Sequence, residues 1–273
     1  MVLGGAEARA EDRARPEVSD AAACARGFTV FSPLPDRCLE PIDTDRPHKT
    51  DTPVPVAAGH AQIEVGIAEL ELERLRGPSE DAVTIGNNIY KLGLADHLGP
   101  VHHWDVEVLH AIGSYAVRSR RFSASPDLLV RSKLNLVDGP LQVTAVPAVV
   151  LPAMKGGQTE GGGSLFFGAE LPFELDWELN VGAMSERDPE TARRHAAMVA
   201  TTAFTRRIAG PLSGFGELYG DTTSVDARRW NATADTGLLV RLGRDWQLDG
   251  GAYVGVAGSV PGLTPFLGLS SRL

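Results

Sequence analysis

Residues 230–242 read WNATADTGLLVRL, and the alternation within this stretch decides the fold. Trp230, Ala232, Ala234, Leu238, Val240 and Leu242 share one side, while Asn231, Thr233, Asp235, Gly237 and Arg241 share the other. Successive side chains of an extended chain point to opposite faces, so this segment has one oily wall and one wet wall. The pattern recurs. Trp177, Leu179 and Val181 oppose Asp176, Glu178 and Asn180, and Trp104, Val106, Val108 and Ile112 oppose Asp105 and Glu107.

Extending the pattern in both directions predicts strands over 60–72, 82–94, 103–112, 127–137, 141–152, 163–173, 175–184, 195–207, 211–220, 229–242, 245–256 and 263–273. Most approach the length at which a tilted strand crosses a bilayer, roughly 9–11 residues. The connections alternate in length. LERLRGPSED, GSYAVRSRRFSASP, AMKGGQTEGGG, SERDPETARR, DTTSVDARR and AGSVPG are long; DGP, the step at Glu174, IAGP and GRD are short. ADHLGPVHH reads as a longer link in a short-turn slot. A barrel with long outer loops and tight periplasmic turns requires that alternation, whereas a soluble sandwich does not. The expectation is an all-β fold: an antiparallel transmembrane β-barrel of about twelve strands over 60–273, in the bacterial outer membrane. An outward row such as Leu165, Phe167, Ala169, Leu171 and Phe173 then faces lipid.

Composition narrows the function classes. The chain is 43% hydrophobic, yet no apolar run approaches the roughly 18–20 residues of a transmembrane helix. A formal charge of −9 argues against nucleic acid as a partner. No Gly-x-Ser-x-Gly elbow occurs, KGGQTEGGG lacks the Gly-Lys-Ser/Thr end of a phosphate loop, and no enzymatic step or cofactor is implied. His97, His102, His103 and His110 do not match a zinc spacing and read as solvated turn histidines.

Residues 1–59 carry Ala, Arg, Asp, Glu and Pro without a sustained period and read as an irregular, periplasm-facing arm. Whether they enter the lumen the sequence leaves open. Cys24 and Cys38 both lie there and could pair in an oxidising periplasm, or stand as two unrelated thiols. The opening MVLGGAEARA ends like a signal cleavage site but lacks a basic n-region and an apolar h-region. The start is then assigned too late, or the chain is trimmed near its mature form.

By alternation Glu64, Asp105, Glu107, Arg131, Lys133, Glu170, Asp176, Glu178, Glu217, Asp235, Arg241 and Asp249 line the lumen. They form either a polar conduit that binds a solute or an ion-pair lattice filling a narrow barrel. Pairing of Arg131, Lys133 and Arg241 with acids is expected in both cases, because an unpaired buried charge is costly. Arg118, Arg120 and Arg121 sit in a predicted outer loop, where they are solvated or contact lipopolysaccharide.

Several stretches resemble a family of Gram-negative outer-membrane barrels labelled "putative meta-pathway of phenol degradation" or "transporter". PIDTDRPHKTDTPVPVAAGHAQIEVGIAEL is similar to the family's opening, with Asp45, Arg46, Pro47, Gly59, Gln62 and Glu64 in its motif places. YKLGLADHLG carries its next turn through Lys91, Gly93, Leu94 and Asp96. PAVVLPAMKGG, GFGELYGD and GGAYVGVAGSVPGLTPFLGLSSRL resemble later elements, so the likeness spans roughly residues 41–273. The resemblance implies a porin-like barrel for passive passage or capture of small, often hydrophobic or aromatic molecules. It also implies assembly by the barrel-assembly machinery. The alternative is a structural or interaction protein with a plugged, non-conducting lumen.

Overall fold

The computed structural model describes residue 24 and residues 27–72, 81–124, 127–152, 159–187, 194–222 and 230–273. In chain order the strands are β1 (Ala61–Glu71), β2 (Ala82–Leu98), β3 (Val101–Ala116), β4 (Arg121–Ala124), β5 (Leu128–Val137), β6 (Gln142–Leu151) and β7 (Glu160–Leu171). β8 (Leu175–Arg187), β9 (Arg194–Ala209), β10 (Leu212–Asp221), β11 (Asn231–Arg241), β12 (Trp246–Ala257) and β13 (Leu263–Arg272) complete them. All pairings are antiparallel between neighbours, and β1 pairs with β13 to close the cylinder. The result is a twelve-stranded barrel plus the short β4, which pairs with residues 113–116 of β3 just beyond the stretch paired with β5. Closure gives each of the twelve barrel strands a neighbour on both sides, the condition for backbone to cross lipid; β4 pairs with β3 alone.

Burial is inverted relative to a soluble protein. Lys133, Glu64, Glu107, Asn135, Thr144 and Asp105 are among the largest fully buried side chains. Leu165, Val181, Phe204, Leu218, Leu238 and Leu267 are exposed. The wet walls thus face inward and the oily walls outward, as the alternation demands. Trp104, Trp177 and Trp246 stand near the short-turn ends of β3, β8 and β12. The indole N–H groups of Trp104 and Trp177 donate to Ser132 Oγ and Thr202 Oγ1, satisfying a donor that lipid cannot.

Two connections differ from the sequence expectation. β2 and β3 run on to a turn at Gly99–Pro100, so ADHLGPVHH is mostly strand rather than a longer link. Gly99 supplies the positive φ (63°) that this turn needs. Within GSYAVRSRRFSASP, β3 extends to Ala116 and β4 folds back on it, because cross-strand pairing satisfies backbone groups a loop would leave to solvent. Among the described residues Arg118, Arg120 and Arg121 lie exposed on this hairpin.

β1 begins at Ala61, opposite Leu92, which leaves the far end of β2 without a β1 partner. The segment before β1 fills that place: Val30 N–H donates to Leu94 O and Asp96 N–H to Phe28 O. Cys24 and Cys38 are joined by a disulfide, the latter ending a short 3-10 turn at Asp36–Cys38.

The outward wall yields the first prediction. Leu165→Arg places a charge in the lipid-facing middle of β7, at a cost of about 2–4 kcal/mol. The expected outcome is a reduced fraction of heat-modifiable, folded protein in outer membranes, read on gels with and without boiling.

Candidate functional site: an arm inside the lumen

Residues 42–58 lack regular secondary structure, and their backbone donors must find partners elsewhere. They find them on the inner wall. The N–H groups of Asp45 and Arg46 donate to the Glu64 carboxylate of β1 (3.1 and 2.8 Å). Those of Lys49 and Thr50 donate to Glu217 of β10 (3.0 and 2.6 Å). Val56 N–H donates to Asp105 of β3 (2.8 Å) and Ala58 N–H to Asp96 of β2 (3.3 Å). Carboxylates accepting backbone N–H groups are charge-assisted bonds, stronger than neutral ones. Pro47 and Pro53, both fully buried, lower the number of donors to be satisfied.

The arm enters and leaves at the short-turn end. Ile42 N–H donates to Arg244 O, and Arg272 reaches both Glu40 O (2.7 Å) and Asp245 (2.6 Å). Asp245 lies in the turn between β11 and β12. Its slight burial works the other way, but hydrogen bonds from Arg272 and Arg244 hold its carboxyl below the usual range.

Charge organises the interior. On the β1–β5 side Lys91, Arg131 and Lys133 meet Glu64, Asp105 and Glu107, and the arm adds Asp45 and Asp51. Asp45 lies 2.8 Å from Lys91 Nζ, 2.8 Å from Arg131 Nη2 and 2.6 Å from Lys133 Nζ. Asp51 pairs with Arg131 Nη1 at 2.6 Å, and Arg131 Nε also bonds Glu107. On the β8–β12 side the wall presents Glu178, Glu217, Asp235 and Asp249, and the arm supplies the opposite sign. Arg46 pairs with Asp249 (3.1 Å), His48 faces Glu178 (3.3 Å) and Lys49 pairs with Asp235 (3.3 Å). The arm sequence Asp45-Arg46-Pro47-His48-Lys49-Thr50-Asp51 is thus a charge-matched strap across the lumen.

Two glycines make room for it. A Cβ at Gly268 would stand 2.2 Å from Arg46 Nε, and one at Gly168 would stand 2.6 Å from Pro53 Cγ.

Of the lumen residues read from alternation, the structure brings Glu64, Asp105, Glu107, Arg131 and Lys133 into one buried cluster, and sets Glu178, Glu217, Asp235 and Asp249 against the arm. Glu170, Asp176 and Arg241 are exposed, near the short-turn ends of β7, β8 and β11. Lys91, Asp45, Asp51, Arg46 and Lys49 were not on that list. Lys91 could have been found by alternation, since it opposes Tyr90 and Leu92 on β2; the arm residues obey no period. Among the described residues no group of His, Cys, Asp and Glu could hold a metal ion. His103 instead bonds Asp96 (2.9 Å), and His110 follows the lipid-facing side of β3.

A family model described as "Putative MetA-pathway of phenol degradation" matches residues 44–273. The chain belongs to that family. The match starts at the strap and ends at the last strand, so the family's pattern takes in arm and barrel together. No curated protein sequence matches significantly. Among solved structures the chain is similar to the COG4313 outer membrane channel from Pseudomonas putida F1, with a TM-score of 0.55 and 8% identity over 78% of this chain and 94% of that one. The KdgM porin aligns with a TM-score of 0.48 and 9% identity over 77% of this chain and 98% of that one. At such identity the likeness to the channel shows a shared barrel fold.

Gly268→Val tests the strap. The added side chain forces the Arg46 guanidinium to swing away from Asp249 and loosens the strap, so trypsin is expected to cut after Lys49 more readily while the barrel keeps its heat-modifiable mobility. Asp45→Asn removes the anion shared by Lys91, Arg131 and Lys133 and should weaken arm docking by about 3–5 kcal/mol. The check is the denaturant concentration at which the same cleavage appears.

Proposed function

We propose that the protein is an outer-membrane barrel through which small molecules pass, with the arm as a displaceable occupant of the lumen. The long connections face outward and the tight turns face the periplasm, as in outer-membrane barrels generally. One observation carries the reading: the arm is held in the lumen by ion pairs and hydrogen bonds to a wall that is itself polar. A barrel that had only to be filled would gain more from an apolar interior, since replacing buried ion pairs with packed hydrocarbon is commonly neutral or stabilising. A wall of Thr, Asn, Asp, Glu and Lys remains compatible with water once the arm moves.

The acidic β8–β12 side favours neutral or cationic solutes over anions. Small aromatic molecules with a hydroxyl, in keeping with the family's description, could exchange hydrogen bonds with the wall's threonines and carboxylates. Exposed Arg118, Arg120 and Arg121 at the long-loop end suit the phosphates of lipopolysaccharide.

The second reading, a permanently plugged barrel, is favoured by the density of the Asp45 cluster. Single-channel recording in planar bilayers separates the two. Gly268→Val should conduct more often and for longer than the unaltered protein, since it loosens the strap at Arg46 without changing wall charge. A variant whose strap is cut by trypsin yet which stays silent would establish the plugged reading.

A further inference from the structure

We infer that the outer half of the lumen holds a binding site for a small organic ammonium ion, built by Tyr219, Thr233, Asp235 and Tyr253 and occupied at rest by the arm's own Lys49. The Lys49 ammonium lies 4.1 Å from the centre of the Tyr253 ring and 4.6 Å from that of Tyr219. Thr233 Oγ1 is 2.8 Å away and Asp235 Oδ2 3.3 Å. Two aromatic faces, a carboxylate and a hydroxyl are the chemistry that holds an alkylammonium, because ring quadrupoles attract a weakly hydrated cation far better than they attract hydrated sodium.

Four features separate this place from a plain anchor for the arm. All four wall residues belong to β10, β11 and β12, so the site stays when the arm leaves. Tyr253 is already oriented by stacking on Phe266 of β13, with ring centres 4.5 Å apart. The Asp235 side chain is wholly buried, yet its Oδ1 has no hydrogen-bond partner. Asp235 lies directly across from Glu217, whose carboxylate takes the arm's Lys49 and Thr50 N–H groups and leaves the ammonium to Asp235. The unpartnered Oδ1 gives the site capacity for a further donor. Lys49 keeps 27% of its side chain exposed, so the pocket is not sealed around it.

The inference deepens the passage reading by naming a solute class, but its test does not require transport. Binding of n-butylammonium chloride to full-length protein in detergent micelles is measured by calorimetry, against sodium chloride at equal ionic strength. Lys49→Ala vacates the site and is expected to bind n-butylammonium about tenfold or more tightly than the unaltered protein, where Lys49 competes. Adding Asp235→Asn or Tyr253→Leu to Lys49→Ala should abolish most of that gain. A Lys49→Ala barrel that keeps its heat-modifiable mobility but binds n-butylammonium no better than sodium would overturn the proposal. So would binding that survives both second substitutions. A silent channel in bilayers would leave these results standing, and ammonium binding would not rescue a silent channel.

Discussion

The structure depends on one constraint: charges turned into the barrel must find partners there, because with the arm docked neither lipid nor bulk water reaches them. The β1–β5 side has its own balance of Lys91, Arg131 and Lys133 against Glu64, Asp105 and Glu107, while the β8–β12 side presents Glu178, Glu217, Asp235 and Asp249. The arm engages both. Its acids go to the first side and its cations to the second, and its backbone N–H groups donate to Glu64, Asp96, Asp105 and Glu217. Removing one partner while the arm stays docked leaves an uncompensated charge away from water.

The same matching connects fold to function. An apolar filling would fix the lumen shut, whereas ionic contacts exchange for water at moderate cost. The strap enters and leaves at the short-turn end, where Arg244, Asp245 and Arg272 hold its base, so its tip at Lys49 reaches furthest into the barrel. Lys49 is therefore the part of the arm that a solute arriving from the long-loop end meets first.

The barrel was legible in the sequence because period-2 alternation follows from strand geometry alone, and twelve strands appear where twelve were expected. Inward charges such as Glu64, Lys133 and Asp235 were legible for the same reason. Lys91 escaped because it read as part of a turn motif, although Tyr90 and Leu92 on either side place it inward. The arm was not legible. Asp45, Arg46, Lys49 and Asp51 sit in a stretch without period, and their partners lie on β1, β2, β5, β10, β11 and β12, contacts that only the closed barrel creates. The glycines that admit the strap, Gly268 and Gly168, look like any other small residue in a strand until Arg46 and Pro53 are seen against them.

The most direct test is cross-linking of the strap to the inner wall in intact outer membranes, with a short bis-maleimide and cysteines at Lys49 and Thr233. The native Cys24 and Cys38 are paired and do not react. The account predicts an internal cross-link that speeds migration of the unfolded chain. It predicts none when the second cysteine is at Ala234, one residue along β11 but on the outer face. Equal cross-linking at both positions, or at neither in a folded barrel, would contradict an arm lodged in the lumen.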